Sequence, residues 1–190
     1  MKTKLIATAL CLCCLNSLAD ETTADGRAHP TGQALTTIEA LDVPRYMGTW
    51  YEIAKFPNWF QKKCVGSTKA EYSLKDDGKV QVINRCQLEN GAMNEATGVA
   101  RQVGNATSPK LEVRFAPAWL SFVPLVWGDY WVIDIDDAYQ LVAVSEPKRD
   151  YLWVLSRTPT IDPKAYESLL ARLAKKGFDI QKLEITRQGN

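Results

Sequence analysis

The feature that most constrains the fold is a series of short strand-like segments after residue 48, each rich in aromatic and β-branched residues and each ended by a turn signal. Such a series is typical of all-β proteins. It predicts eight strands, at residues 49–56, 68–75, 80–87, 95–102, 110–116, 129–135, 139–145 and 151–156. The Asp77-Gly78 and Asn90-Gly91 pairs favour tight hairpins, and eight antiparallel strands with mostly tight connections favour an up-and-down barrel.

One helix is predicted after these strands. Asp162 is a good N-cap, Pro163 fits the first helical position and Gly177 fits the C-terminal cap. Four apolar residues recur at helical spacing, namely Tyr166, Leu169, Leu170 and Leu173. We expect this apolar face to pack on the barrel wall, and we expect a final short strand at residues 178–185.

The first residues have the pattern of an export signal. A short basic region precedes an almost entirely apolar run, and Ser17-Leu18-Ala19 places small residues where a signal peptidase cuts, so residues 1–19 are predicted to be a signal peptide. We therefore expect an exported protein in the periplasm or on the periplasmic face of the outer membrane. A lipid anchor on Cys11, Cys13 or Cys14 is disfavoured, because Leu10, Leu12 and Cys13 precede them where a small residue is needed.

Residues 20–38 are polar and are predicted to be a flexible leader, which leaves residues 39–190 as the folded domain. The single histidine, His29, falls in this leader. The predicted domain thus offers no Ser-His-Asp or Cys-His arrangement, no metal-ligand spacing and no phosphate-binding loop. We predict a protein that is not an enzyme and that uses no cofactor or metal. The net charge of +1 gives no field that would favour nucleic acid.

Three separated motifs together identify a family. They are Gly48-Thr49-Trp50 at the start of the first predicted strand, Gly128-Asp129-Tyr130, and Leu155-Ser156-Arg157 after the last strand. In this order and spacing the chain resembles the lipocalin family from about residue 40 onward, with Gly128 where the family has threonine. Two further stretches are similar to bacterial lipocalins of the Blc outer-membrane lipoprotein type and to their relative apolipoprotein D. They are Trp50-Tyr51-Glu52-Ile53-Ala54 and Tyr151-Leu152-Trp153.

The resemblance implies a lipocalin barrel that holds hydrophobic ligands. It also implies that Trp50 plugs the closed end and that Arg157 lies across the indole ring, so Gly48, Trp50, Asp129 and Arg157 are expected to be structural. If Trp50 marks the closed end, the connections at residues 57–67, 88–94, 117–128 and 146–150 lie at the open end, which we call the mouth.

Two of the mouth connections, at residues 57–67 and 117–128, are unusually apolar for loops, which favours a hydrophobic lip around a lipid-binding cavity. The alternatives are a loop folded over the barrel as ordinary core, or a contact between two copies. Glu52 has the same strand parity as Trp50 and is expected to point inward. The predicted ligand contacts are Glu52, Phe56, Trp59, Phe60, Tyr72, Trp119, Phe122, Trp127 and Tyr130. A group of basic residues is expected to attract a phosphate or carboxylate head group, namely Lys62, Lys63, Lys148 and Arg149.

Cys64 and Cys86 are the two cysteines of the predicted domain, and in an oxidising compartment a disulfide is favoured. Register from the Asp-Gly turn places Cys86 opposite about residue 69, too far along the strand from Cys64 for a bond between straight strands. A disulfide therefore requires the segment before the second strand to curl back over the third.

These observations predict a protein that stores or transports fatty acids or lysophospholipids at the bacterial cell envelope. We expect a monomer or weak dimer, with contact to a membrane surface through the mouth loops. One alternative is a lipocalin-type enzyme that acts on a bound lipid or isoprenoid, which a reactive Cys64 or Cys86 thiol would favour. Another is a protein-interaction module that uses the aromatic loops.

Overall fold

A computed structural model describes residues 33–189, apart from the side chains of Trp119 and Pro124. The strands are β1 Gly48–Lys55, β2 Cys64–Leu74, β3 Val80–Leu88, β4 Met93–Gln102, β5 Lys110–Arg114, β6 Gly128–Ile135, β7 Leu141–Ser145, β8 Leu152–Ser156 and β9 Glu184–Ile185. The α-helices are α1 Val43–Tyr46 and α2 Pro163–Lys175. The predicted signal peptide, most of the predicted leader and His29 lie outside the described residues.

The first eight strands pair in the order of the chain, and β1 pairs with both β8 and β2. This closes the sheet into an antiparallel barrel. The prediction of an eight-stranded up-and-down barrel with one C-terminal helix is thereby confirmed. Both predicted hairpin turns have glycine in the left-handed region, with φ of +76° at Gly78 and +82° at Gly91. Glycine adopts that conformation without steric cost, which is why these sequences mark the turns.

Side chains alternate across the wall, so the barrel has two apolar clusters. The inner cluster contains Trp50, Val82 and Leu155 and fills the closed end. The outer cluster contains Ala54, Val154 and Leu169 and lies under α2. Each fully buried large side chain contributes roughly 1.5–3 kcal/mol to folding. The barrel is therefore packed on both sides of its wall near the helix.

The α2 helix is held as the sequence predicts. The Asp162 carboxylate accepts hydrogen bonds from the backbone N–H groups of Lys164 and Ala165, at 2.6 and 3.2 Å. Leu169 and Leu173 are fully buried against the barrel. Arg172 donates two hydrogen bonds of 2.8 Å to the Asp134 carboxylate on β6. The paired geometry fixes the rotation of the helix on the wall.

Several predicted strand ends differ from the structure by one or two residues, and three predicted boundaries differ by more. The last strand is only Glu184–Ile185, because Ile180–Lys182 forms a 3-10 turn. The second strand begins at Cys64, four residues earlier than expected, because β-bulges let it continue alongside β3. The described end of the predicted leader is packed rather than free: Leu35 is buried, and the Ile38 N–H donates to the Val132 carbonyl at 3.2 Å.

The short helix α1 was not predicted. Its N-cap is Asp42, whose carboxylate accepts from the Arg45 N–H at 3.1 Å. It covers the closed end, where its Tyr46 carbonyl accepts from the Trp50 indole N–H at 2.8 Å. Among the described helices, none is both long and apolar enough to cross a membrane.

Candidate ligand-binding site

The closed end of the barrel is sealed by Trp50 and Arg157. The guanidinium carbon of Arg157 lies 3.9 Å from the centre of the fully buried Trp50 ring. The same guanidinium donates to the carbonyls of Thr49, Arg45 and Tyr139, at 3.0, 2.7 and 3.3 Å. These contacts satisfy three of the five N–H donors of Arg157 while the indole ring covers the face of the guanidinium, so this pair closes the barrel.

Gly48 is required where Arg157 crosses the first strand. Its φ is +97°, and a Cβ there would lie 3.2 Å from Nη1 of Arg157. Asp129, the other predicted structural residue, is exposed on β6 opposite Glu112. Its carboxylate takes part in no hydrogen bond or ion pair among residues 33–189, so its structural role stays a prediction.

A buried hydroxyl chain lies above the closed end. The Tyr130 hydroxyl is 2.7 Å from that of Tyr46 and 3.1 Å from that of Tyr72. Burial raises the pKa of Tyr72 to about 12 and the pKa values of Tyr46 and Tyr130 well above their ordinary value, so all three stay neutral. Three hydroxyl protons serve two mutual hydrogen bonds, which leaves one donor for a ligand. Tyr46 was not among the predicted ligand contacts, because α1 was not predicted.

Glu52 points inward, as predicted, and lies in a second polar group nearer the mouth. Its carboxylate accepts from the Gln61 amide at 2.7 Å and from the Thr186 hydroxyl at 2.6 Å. The Gln61 side-chain oxygen in turn accepts from the indole N–H of Trp153 at 3.0 Å. Burial raises the pKa of Glu52, although both donors oppose that shift. Gln61 and Trp153 were not among the predicted site residues.

Aromatic rings line the rim beside this polar group. Phe60 contacts Trp59, Tyr151 and Trp153, with ring centres 5.6, 5.6 and 6.2 Å apart. Trp59 is 71% exposed, and across the mouth Phe122 is 78% and Leu125 94% exposed. Water-exposed apolar groups of this size are concentrated at the open end, which suits contact with a hydrophobic partner.

Two predicted ligand contacts lie outside the barrel. Phe56 packs in the outer cluster, 6.2 Å from the ring of Phe178. An extra residue in β1 between Glu52 and Ala54 reverses the alternation, so parity counted from Trp50 fails beyond that point.

Trp127 lies against the outer wall between two arginines. Its ring is 4.1 Å from the guanidinium of Arg101 and 5.2 Å from that of Arg114. Their strand neighbours Ala100 and Val113 pack with the inner cluster, so both arginines face outward. The predicted contact at Trp119 involves a side chain outside the described part of the structure.

The disulfide between Cys64 and Cys86 is present, with Cα atoms 5.5 Å apart. Two irregularities in β2, between Cys64 and Gly66 and between Gly66 and Lys69, move Cys64 into reach. Ser67 adopts φ of +49° at this place. The predicted curl is therefore made by β-bulges, which add residues to one strand only.

A cavity of about 430 Å³ opens at the rim, between the ends of β1, β9 and β2 and the connection from β1 to β2. We call it the rim cavity. It is lined by Lys55, Pro57, Asn58, Trp59, Gln61, Lys62, Cys64 and Glu184. Of the four basic residues predicted to attract a head group, Lys62 lines it. Arg149 turns away and donates to the carbonyls of Lys176 and Gln33.

Within the described residues, no group of three or more His, Cys, Asp or Glu side chains is placed to hold a metal ion. Below the rim, the interior offers apolar surface, tyrosine hydroxyls and the buried carboxyl group of Glu52 with its amide partner. This arrangement can bind and orient a ligand.

The family model and similar known proteins agree with one another. The Lipocalin-like domain family matches residues 41–188. Temperature-induced lipocalin-1 of Arabidopsis thaliana is 40% identical over 158 residues, covering 82% of this chain and 84% of the plant protein. Outer membrane lipoprotein Blc of Escherichia coli K12 is 40% identical over 151 residues, covering 79% of this chain and 81% of the bacterial protein. Apolipoprotein D of Mus musculus is 33% identical over 178 residues, covering 89% of each.

Solved structures support the same fold. Insecticyanin from the tobacco hornworm Manduca sexta superposes with a TM-score of 0.64 at 19% identity, over 82% of this chain and 85% of that one. Lobster apocrustacyanin A1 superposes with a TM-score of 0.61 at 14% identity, over 85% of this chain and 94% of the lobster chain. At these identities the superpositions bear on the fold alone.

Proposed function

Because the chain belongs to the lipocalin family, whose members bind small hydrophobic ligands, we propose that it binds single-chain lipids, namely fatty acids or lysophospholipids, inside the barrel. The observation that carries the proposal is the contrast between a sealed end at Trp50 and a mouth ringed by exposed aromatic side chains. Such a cup admits a long apolar chain from one direction only.

Apolar burial provides the affinity. Each buried methylene group contributes about 0.8 kcal/mol, so a long acyl chain gains roughly 10 kcal/mol gross. Association and ordering costs reduce that figure, and a dissociation constant on the order of micromolar or tighter remains. The tyrosine hydroxyls and the Glu52 group then orient polar atoms of the ligand. Ligand contacts are proposed at Glu52, Trp59, Phe60, Tyr72, Phe122 and Tyr130, with Tyr46, Gln61 and Trp153 added from the geometry.

The lip of the mouth is proposed to touch a membrane surface when ligand is collected or delivered. Trp59, Phe122 and Leu125 project apolar surface into water, which is costly unless a hydrophobic phase receives it. The same surface also suits a weak dimer, and light scattering separates the two outcomes. We expect a monomer that associates with vesicles.

We propose that the protein acts at the cell envelope as a binding and carrier protein. The signal-like residues 1–19 support export, and the E. coli relative is named as an outer membrane lipoprotein. An enzymatic role loses its main support, because Cys64 and Cys86 form a disulfide and offer no reactive thiol.

Native mass spectrometry of protein taken from cells tests the proposal, together with quenching of tryptophan fluorescence by added lysophospholipid. We expect one lipid per chain and saturable quenching, because Trp153 lies on the inner wall beside the Glu52 group. Protein that carries no lipid, and that shows no quenching with either lysophospholipid or fatty acid, would contradict the proposal.

A further inference from the structure

We propose that the rim cavity is an anion subsite, in which Lys55 and Lys62 hold the phosphate or carboxylate group of a single-chain amphiphile. This inference rests on the proposed lipid-binding function and adds the place and the chemistry of head-group recognition. The acyl chain of the same molecule would lie in the barrel below.

Lys55 faces the inside of the barrel. It lies directly opposite Trp153 in the β1–β8 pairing, and directly paired residues point to the same side of a sheet. Trp153 packs against the inner cluster, so Lys55 shares its side. The extra residue in β1 that turns Phe56 outward thus turns Lys55 inward. Its side chain is only 14% exposed.

A mostly buried ammonium group needs an anion beside it. In this structure the partner is Glu184 of β9, at 2.9 Å from the Lys55 nitrogen. Glu184 is itself 59% exposed, so water solvates the acid while the lysine remains largely enclosed. An ammonium group has three N–H donors, and this is the one hydrogen bond of Lys55 in the described part of the chain. A ligand anion can therefore join or displace Glu184.

Neighbouring residues add a second cation to the subsite and restrict how far into the barrel a charged group can enter. Lys62 lines the same cavity and has no ion-pair partner among residues 33–189. Below them, the Glu52 carboxyl group occupies the inner wall with Gln61. The ionised form of Glu52 repels an anion farther down, which favours a charged group at the rim and an apolar chain below it. A volume of about 430 Å³ is enough for a head group.

Two other basic residues near the mouth serve as comparisons. Lys63 donates to the side-chain oxygen of Asn94 at 2.9 Å and does not line the cavity. Arg149 is committed to backbone carbonyls near α2. Lys63 is thus a matched control, since it follows Lys62 directly in the same connection.

Dodecyl phosphate and dodecanol, each used below the concentration at which it aggregates, test the subsite by calorimetric titration. We expect Lys55→Met to weaken dodecyl phosphate binding about tenfold, since hydrogen bonds to charged groups are the stronger ones. We expect Lys62→Met, a more exposed position, to weaken it about threefold. Dodecanol affinity should stay within about twofold in both variants, as should both affinities in Lys63→Met.

Glu184→Gln should change the affinity for dodecyl phosphate in the opposite direction to Lys55→Met. It therefore tests the subsite even if Lys55→Met fails to fold. Removing the internal competitor should tighten dodecyl phosphate binding about threefold and leave dodecanol unchanged. Inorganic phosphate serves as a chain-free probe, and we expect it to compete only weakly. Competition by inorganic phosphate as strong as that of dodecyl phosphate would overturn the lipid assignment.

Equal losses for the phosphate and the alcohol in Lys55→Met, or no effect of the Lys55, Lys62 and Glu184 substitutions, would overturn the subsite while leaving the proposed function intact. Failure of the unaltered protein to bind either probe would overturn the proposed function itself. The two failures are therefore distinguishable.

Discussion

At the closed end of the barrel Trp50 is fully buried beneath Arg157, whereas at the mouth Trp59 is 71% exposed. The closed end uses its aromatic ring, three carbonyls and a glycine to make one fixed arrangement. The mouth combines exposed rings with a buried acid, amides and lysines. The Gly48–Trp50 motif by which the family is recognised thus packs the closed end, whereas binding is expected at the other end, where sequence motifs are weak.

Trp50→Ala should show the largest effect on stability. Removing a fully buried indole leaves a cavity and strips the cover from Arg157, so we expect a loss of about 3–5 kcal/mol in the free energy of unfolding. Urea denaturation followed by circular dichroism measures it. A loss below about 1 kcal/mol would show that the closed end is not the rigid part of the barrel.

The double variant Cys64→Ser with Cys86→Ser should have the next largest effect. The disulfide closes a loop with a sequence separation of 22 residues, and loops of this length are stabilised by about 3 kcal/mol. Because the bond ties the mouth connection to β3, we expect lipid affinity to fall as well. Unchanged lipid affinity in folded protein would show that the bond stabilises the wall without shaping the mouth.

Glu52→Gln should change how stability depends on pH. Burial raises the folded-state pKa of Glu52 above the ordinary value of 4.5, so the folded protein holds this proton more tightly than the unfolded chain. Stability is therefore lost as pH rises from about 4.5 through the folded pKa, by linkage. Glutamine does not titrate, so the decline should be shallower in the variant. Urea midpoints between pH 4.5 and 7.5 would show this, and parallel curves would contradict it.

Phe122→Ser should have the smallest effect on stability, within about 0.5 kcal/mol, because its side chain is 78% exposed. It should nevertheless reduce association with phospholipid vesicles, measured by flotation. Val103→Ser is a matched control, since Val103 is exposed at the end of the barrel opposite the mouth. Equal flotation of the two variants would contradict the proposal that the mouth contacts the membrane through Phe122.

The sequence predicted the regular parts well because their signals are local. Each hairpin turn needs a glycine at positive φ, and the N-cap at Asp162 satisfies nearby backbone N–H groups. The disulfide was favoured from composition, and its geometry depended on β-bulges near Ser67 that leave no clear sequence mark. One extra residue in β1 turned Phe56, a predicted ligand contact, to the outer side of the wall and placed Lys55, which was not predicted, on the inner side.

The candidate site was harder to predict than the fold because its parts are distant in the chain. Glu52 meets Thr186 across 134 residues, and Gln61 meets Trp153 across 92. Periodicity reports which face of a strand is apolar, and it carries no information about which strands meet at the rim. Trp127 looked like a mouth residue because its loop is apolar, yet the arginines that hold it lie on the outer wall.

The most direct measurement compares two neighbouring substitutions on β4. Ala96 shares the inward parity of Ala100, whereas Thr97 faces outward and is exposed. Native mass spectrometry with added lysophospholipid should show one bound lipid in the unaltered protein and in Thr97→Trp. Ala96→Trp should bind none, because its indole fills the barrel. Equal lipid binding by the two folded variants would contradict the claim that the ligand lies inside the cup.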